Sequence, residues 1–301
     1  MRLLLMIMLI SLFILSCKNT KSPDDKNSIP ALTQAYNETK EDSTFTKLMQ
    51  AYGAEYLDAT NNETREKLLT EVIVIADKAE RPEYSEIFQV ELIKTNPNHP
   101  QMEKILFGLG ENMLDKNKLD VASFLFEAYQ KKFPKATNVK EAGQKVLSNT
   151  IPNKAYIDLQ ARALFAGDNS KGIDLIKAEN YIDLCEAFVL VNPTDPEAPV
   201  YLFKAAEMAR AINSSTKFMG LYDWIVNFYP KYDKASLALF MKAFAYDNEL
   251  KDYKNAKKYY ERFLRDYGQD SLAYDVRFLL DNLGKSGDEI IESIVREKQP
   301  Q

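Results

Sequence analysis

Ser236-Leu-Ala-Leu-Phe-Met-Lys-Ala-Phe-Ala-Tyr246 and, one polar turn later, Tyr253-Lys-Asn-Ala-Lys-Lys-Tyr-Tyr-Glu-Arg-Phe-Leu-Arg-Asp-Tyr267 decide the fold. The first stretch is apolar almost all the way round, and a helix of that composition has to be covered on several sides. The second is amphipathic. Tyr253, Ala256, Tyr260, Phe263, Leu264 and Tyr267 fall on one face; Lys254, Lys257, Lys258, Glu261, Arg262 and Arg265 fall on the other. Asp247-Asn-Glu-Leu-Lys-Asp252 joins them, with Asp252 placed to cap the second helix. Together they make a helical hairpin with more apolar surface than it can hide alone. It requires neighbours of its own kind, and the sequence supplies them.

Working outward, Pro97, Pro134, Pro193, Pro230 and Gly268 each close an apolar helical run, at intervals of 37, 59, 37 and 38 residues. Neither proline nor glycine continues a helix, so each marks a reversal of the chain. Glu103 to Pro134 is the clearest further copy, with Leu106, Leu109, Gly110 and Met113, then Ala122, Phe126 and Pro134. Gly110 and Ala122 are small where two helices of a hairpin must approach, as are Ala243 and Ala256 in the opening unit. This arrangement resembles the tetratricopeptide repeat, with its Trp/Leu-x₂-Leu-Gly-x₂-Tyr, Ala-x₃-Phe and final proline. The resemblance implies an all-α fold, a right-handed α-solenoid of tetratricopeptide-like hairpins; a generic α-solenoid is the alternative. Between about 136 and 192 the pattern loosens, with helices expected at about 138–148, 154–165 and 173–191 around the breaker Ala166-Gly-Asp-Asn-Ser-Lys-Gly172. That segment is an irregular repeat inside the array or a boundary between two shorter ones. Another first helix is expected over 271–283, and Ser286-Gly-Asp-Glu289 is a capping box for a last, charged one.

At the N-terminus, Met1-Arg2 precedes an apolar run from Leu3 to Leu15, interrupted only by Ser11. Thirteen residues fall short of the ~20 that span a bilayer as a helix, and they have the character of an export signal. Ile14-Leu-Ser-Cys17 then resembles the lipobox of bacterial lipoproteins, in which the cysteine becomes the acylated first residue of the mature chain. The expected organisation is a signal peptide over 1–16, a polar tether over 17–41 starting from lipidated Cys17, and a repeat domain over 42–301. By the same resemblance, Lys18 after the cysteine implies an outer-membrane lipoprotein of the cell envelope. With Cys17 acylated, Cys185 is the remaining thiol, on the apolar side of a helical pattern, where a buried and inert group is expected.

The net charge of −5 and a pI near 5.3 give no broad basic surface, so nucleic acid is not an expected partner. No phosphate loop, dinucleotide fingerprint or nucleophile elbow occurs in the sequence. His99 is the only histidine, in Asn96-Pro-Asn-His-Pro100, and is expected to be an exposed turn residue. Asp168-Asn-Ser-Lys-Gly-Ile-Asp174 lacks the acid order of a calcium loop. Neither an enzyme nor a cofactor or metal site is expected. Binding of other proteins is. In tetratricopeptide proteins the first helix of each hairpin lines a concave groove, and the resemblance places Phe107, Phe203 and Phe240 at equivalent groove sites. Glu111, Glu207 and Phe244 follow one turn on, then Arg210 and Asp247. Such a row suits an extended or helical segment of another envelope protein; phenylalanines that pack hairpin on hairpin have the same spacing. The expected function is a lipid-anchored scaffold, held to the membrane by its N-terminal lipid. The BamD type of outer-membrane assembly lipoprotein is similar in plan, with a lipobox and about five such repeats, and is one alternative. A surface lipoprotein capturing a glycan or peptide is the other.

Overall fold

The computed structural model describes residues 26–147, 154–165, 172–289 and 291. The expected signal peptide, Cys17 and the first part of the tether lie outside those residues. Among the described residues every regular element is a helix. In chain order these are α1 (Ile29–Thr39), α2 (Asp42–Asp58), α3 (Asn62–Lys78), α4 (Pro82–Thr95), α5 (Met102–Asp115), α6 (Leu119–Lys132) and α7 (Val139–Gln144). Then follow α8 (Lys154–Phe165), α9 (Leu175–Val191), α10 (Ala198–Ala211), α11 (Ser215–Phe228), α12 (Ala235–Asn248), α13 (Tyr253–Asp266) and α14 (Ala273–Asp281). They fall into two compact units that divide between Ala198 and Pro199.

Helices pack in sequential pairs, most closely α3 with α4, α5 with α6 and α12 with α13. Two kinds of turn alternate between them. Within a hairpin the reversal carries one residue in the left-handed region: Lys40, Glu80, Asn117, Gly172, Asn213, Lys251 and Gly284. Several of these turns close as Schellman motifs, in which a late N–H reaches back five residues: Arg81 to the Ala76 carbonyl (3.0 Å), Lys118 to Met113 (2.8 Å) and Ser214 to Ala209 (2.8 Å). Between hairpins the helix ends at Asn96, Phe133, Asn192, Tyr229 or Tyr267, with φ of −137°, −126°, −128°, −129° and −133°. Proline follows in four cases, and a residue before proline is pushed out of the helical region. Each end residue then accepts a hydrogen bond from the N–H three positions on, at 2.9–3.1 Å, and the next first helix starts six positions on.

This alternation recurs in the loose middle. Gly172, in the left-handed region before α9, and Asn192, the extended end residue after it, repeat the two turn types that bracket a second helix elsewhere in the chain. The segment is anchored by α9 on α6, where Phe188 meets Phe124 at 6.5 Å and Asp183 pairs with Lys118. The expected helices at 154–165 and 173–191 are found at Lys154–Phe165 and Leu175–Val191, whereas the first shrinks to Val139–Gln144.

The structure corrects two further expectations. Ile29–Thr39 of the 17–41 tether is helical: Ser28 caps α1 by accepting from the Ala31 N–H (3.4 Å), Leu32 is buried, and Tyr36 meets Phe45 of α2 at 5.2 Å. Its polar sequence hides a narrow stripe, Leu32 and Tyr36, one turn apart on the face that packs on α2. His99 is 9 % exposed, not a solvent residue. Its Nδ1 accepts from the Gln101 N–H (3.2 Å) and its Nε2 lies 3.5 Å from Glu66, which also accepts from the Asn96 amide at 3.0 Å, so a carboxylate on α3 holds the turn. Gly110 allows close approach as expected, since a Cβ there would sit 2.7 Å from the buried Phe126 ring. Cys185 is buried and remains a thiol. Ser286 and Glu289 form the reciprocal capping box, with bonds of 2.7 and 3.2 Å.

Candidate protein-binding surface

The sixth residue of the first helix is a phenylalanine in α5, α10, α12 and α14: Phe107, Phe203, Phe240 and Phe278. Each first helix begins six residues after the extended end residue of the preceding repeat, so the between-hairpin turn sets where the ring emerges. The surroundings then differ from copy to copy.

In the unit before Ala198, Phe107 is half-buried. Its ring meets Phe126 at 5.5 Å and Tyr129 at 5.3 Å, both edge-on. The Lys145 ammonium lies 5.3 Å from the Phe107 centroid while bonding Glu111 at 2.5 Å and Glu141 at 2.7 Å. Burial works against the charge on Lys145, but the hydrogen bonds to Glu111 and Glu141 outweigh it and hold its pKa above the ordinary lysine value. Phe107 and Glu111 are thus brought together under one lysine. Beside them is a cavity of about 430 Å³ lined by Pro100, Glu103, Lys104, Phe107, Tyr129, Thr137 and Asn138.

In the unit after Ala198, Phe203 is 9 % exposed, packed by Tyr222 (6.2 Å) and Tyr232 (6.5 Å) and covered by the Lys234 ammonium at 4.9 Å. Glu207 accepts from the Tyr222 hydroxyl (2.7 Å); burial first, and then that carboxylate, push the Tyr222 pKa far above the usual tyrosine range. Arg210 spans three groups: it lies 5.7 Å from the Phe218 ring, 3.4 Å from Glu249 Oε1 and 3.9 Å from Met241 Sδ. Asp247 accepts from the Tyr260 hydroxyl (3.2 Å), and burial raises its pKa. Phe240 and Phe244 stack on each other at 5.8 Å and 29°, both half-buried, so each keeps part of a ring in solvent.

The eight expected positions therefore separate. Phe203 is a packing residue; Glu207 and Asp247 are occupied within their own hairpins, and Arg210 reaches Met241 and Glu249 of the next one; Phe240 and Phe244 present aromatic surface. Phe278, 41 % exposed, is the member of the series that the sequence reading missed, although it stands 38 residues after Phe240. A stacked pair of half-buried rings suits an apolar anchor from another chain, because little rotamer freedom is left to lose. Among the described residues no group of three His, Cys, Asp or Glu side chains is placed to hold a metal, and no helix is long and apolar enough to cross a membrane. No protein-family model and no curated protein matches this sequence.

Proposed function

We propose that the chain is a lipid-anchored scaffold of the bacterial envelope, built as a right-handed tetratricopeptide-like solenoid that gathers other proteins on its first-helix face. The observation that carries this reading is the phenylalanine repeated at the sixth position of α5, α10, α12 and α14, left partly in solvent at Phe107, Phe240 and Phe278. Support for the anchor is the Leu-Ser-Cys17 ending of a short apolar run with a polar stretch behind it. Acyl chains on Cys17 would hold the protein to the outer membrane, each buried CH₂ contributing ~0.8 kcal/mol.

The test has two parts. Mass spectrometry of the mature N-terminus should find an acylated Cys17; an uncut Met1 refutes the anchor. A photo-crosslinker at position 240 or 278 should yield discrete protein adducts in cells, and one at position 257 on the outer face of α13 should not. Equal labelling from both faces refutes the scaffold.

A further inference from the structure

The turn between α12 and α13 exposes two apolar side chains, Leu250 (47 %) and Tyr253 (41 %), within a cluster of exposed lysines, Lys251, Lys254, Lys257 and Lys258. The next hairpin turn adds Lys285, because Gly284 lies against the Tyr253 ring, where an added Cβ would be 3.6 Å away. Lys257 is paired with Glu261 at 3.8 Å, and Lys285 donates to Asn282 at 3.1 Å. Among the described residues Lys251, Lys254 and Lys258 make no ion pair; the Lys251 charge acts on Asp247 from a distance and Lys258 lies 5.9 Å from the Tyr259 ring, while the nearby acids have their hydrogen-bond or ion-pair partners elsewhere. Asp252 caps α13 through the Asn255 N–H (3.1 Å), Glu249 faces Arg210 (3.4 Å) and Asp247 accepts from Tyr260 (3.2 Å). A chain of net charge −5 thus keeps a local cationic edge with two greasy tips.

We infer that this edge rests on an anionic lipid surface, with Leu250 and Tyr253 at the headgroup boundary and the lysines among the phosphates. The chemistry selects the occupant. Tyrosine has an apolar body and a polar tip, which suits the boundary between headgroup and acyl chain. Lysines on long stems are point charges that follow a field of mobile phosphates, whereas a carboxylate-bearing protein surface is matched best by the planar fork of arginine. The contact does not depend on acylation of Cys17: it orients whatever part of the chain lies at the membrane.

Lysine-labelling footprinting on the full chain, reconstituted in phosphatidylcholine vesicles with or without phosphatidylglycerol, tests this. Acetylation of Lys251, Lys254 and Lys285 should slow ~5-fold or more on the anionic vesicles. Lys67, in the other unit with a side chain 76 % exposed, should not slow and serves as the internal reference. The variant Leu250→Ser with Tyr253→Ser should lose most of the protection while keeping its melting temperature. Equal labelling on both vesicle types overturns the inference, and so does equal slowing at Lys67. Equal protection by soluble polyglutamate would also overturn it, assigning the edge to an acidic protein instead.

Discussion

Lys242 carries its charge into the interior of the second unit, 2 % exposed, paired with Asp223 and with its ammonium 4.1 Å from the Tyr259 ring. Tyr246 and Tyr259 stack beside it, 5.3 Å apart and almost parallel at 4°. Burial by itself would lower the Lys242 pKa; the Asp223 charge and the two tyrosines outweigh it, and the net shift is upward. The charge and the stem can be separated by substitution. Lys242→Ala should cost ~2–4 kcal/mol in denaturant unfolding, because packing and charge are lost together. Lys242→Met keeps the stem, and the Asp223 left behind is 40 % exposed and can be hydrated, so a cost nearer ~1 kcal/mol is expected. Buried tyrosines add an alkaline limit. Burial, followed by nearby Glu71, raises Tyr52 to about 12, and burial raises Tyr229 to about 12. In the unfolded chain both ionise near pH 10, so their contribution is complete below that pH and is lost as pH rises toward 12. Stability should fall by ~1.4 kcal/mol per pH unit per group in that window, measurable by denaturant titration at each pH. Gly110→Ala, by pushing a Cβ into a ring that cannot move aside, should cost ~1–3 kcal/mol, and Phe126→Leu should recover part of it.

At the scale of elements, the two turn types decide what was readable. The between-hairpin turns were legible because proline announces them at 97, 134, 193 and 230. Inside hairpins the polar turn Asp247–Asp252 and the breaker ending at Gly172 were legible, whereas the turns at Lys40 and Glu80 were not, because neither residue is a turn former and the left-handed backbone is set by bonds back into the preceding helix. Replacing Glu80 with glycine should therefore raise stability by about 0.5 kcal/mol, the relief of left-handed strain exceeding the entropy cost of glycine. Asn117→Ala, which swaps a residue tolerant of this region for one that is not, should cost ~1 kcal/mol; thermal melts of both variants decide it. Helix α1 escaped notice for a related reason, since two apolar residues among polar ones look like a tether until α2 is there to receive them. In the candidate surface, spacing found Phe107, Phe203 and Phe240 but could not tell a covered ring from an open one. That distinction belongs to Tyr222, Tyr232 and Lys234, which come from other positions in the chain and cover Phe203 alone.

For the chain as a whole, repetition makes an editing experiment possible. Tyr229 and Tyr267 end their helices with nearly the same φ, and α12 and α14 each start six residues later. Deleting residues 231–268 joins Pro230 to Gln269 and brings Phe278 to the place Phe240 held. The shortened chain should keep its ellipticity per residue and melt cooperatively at a lower temperature, as expected when stability is a sum over neighbours. Loss of helicity or a broad, non-cooperative melt would mean that the hairpins are not interchangeable modules. Successive hairpins are also tied by long-range rungs one repeat apart: Lys132 donates to the Pro97 carbonyl at 3.0 Å, and the Tyr267 hydroxyl to the Pro230 carbonyl at 3.3 Å. The left-handed reversals carry a last consequence, for biosynthesis. Those at Lys40, Glu80, Asn117, Asn213, Lys251 and Gly284 are closed by bonds between residues only a few places apart, so a polypeptide emerging in order can set these bends before the following segment arrives. Maturation need not wait for the far terminus.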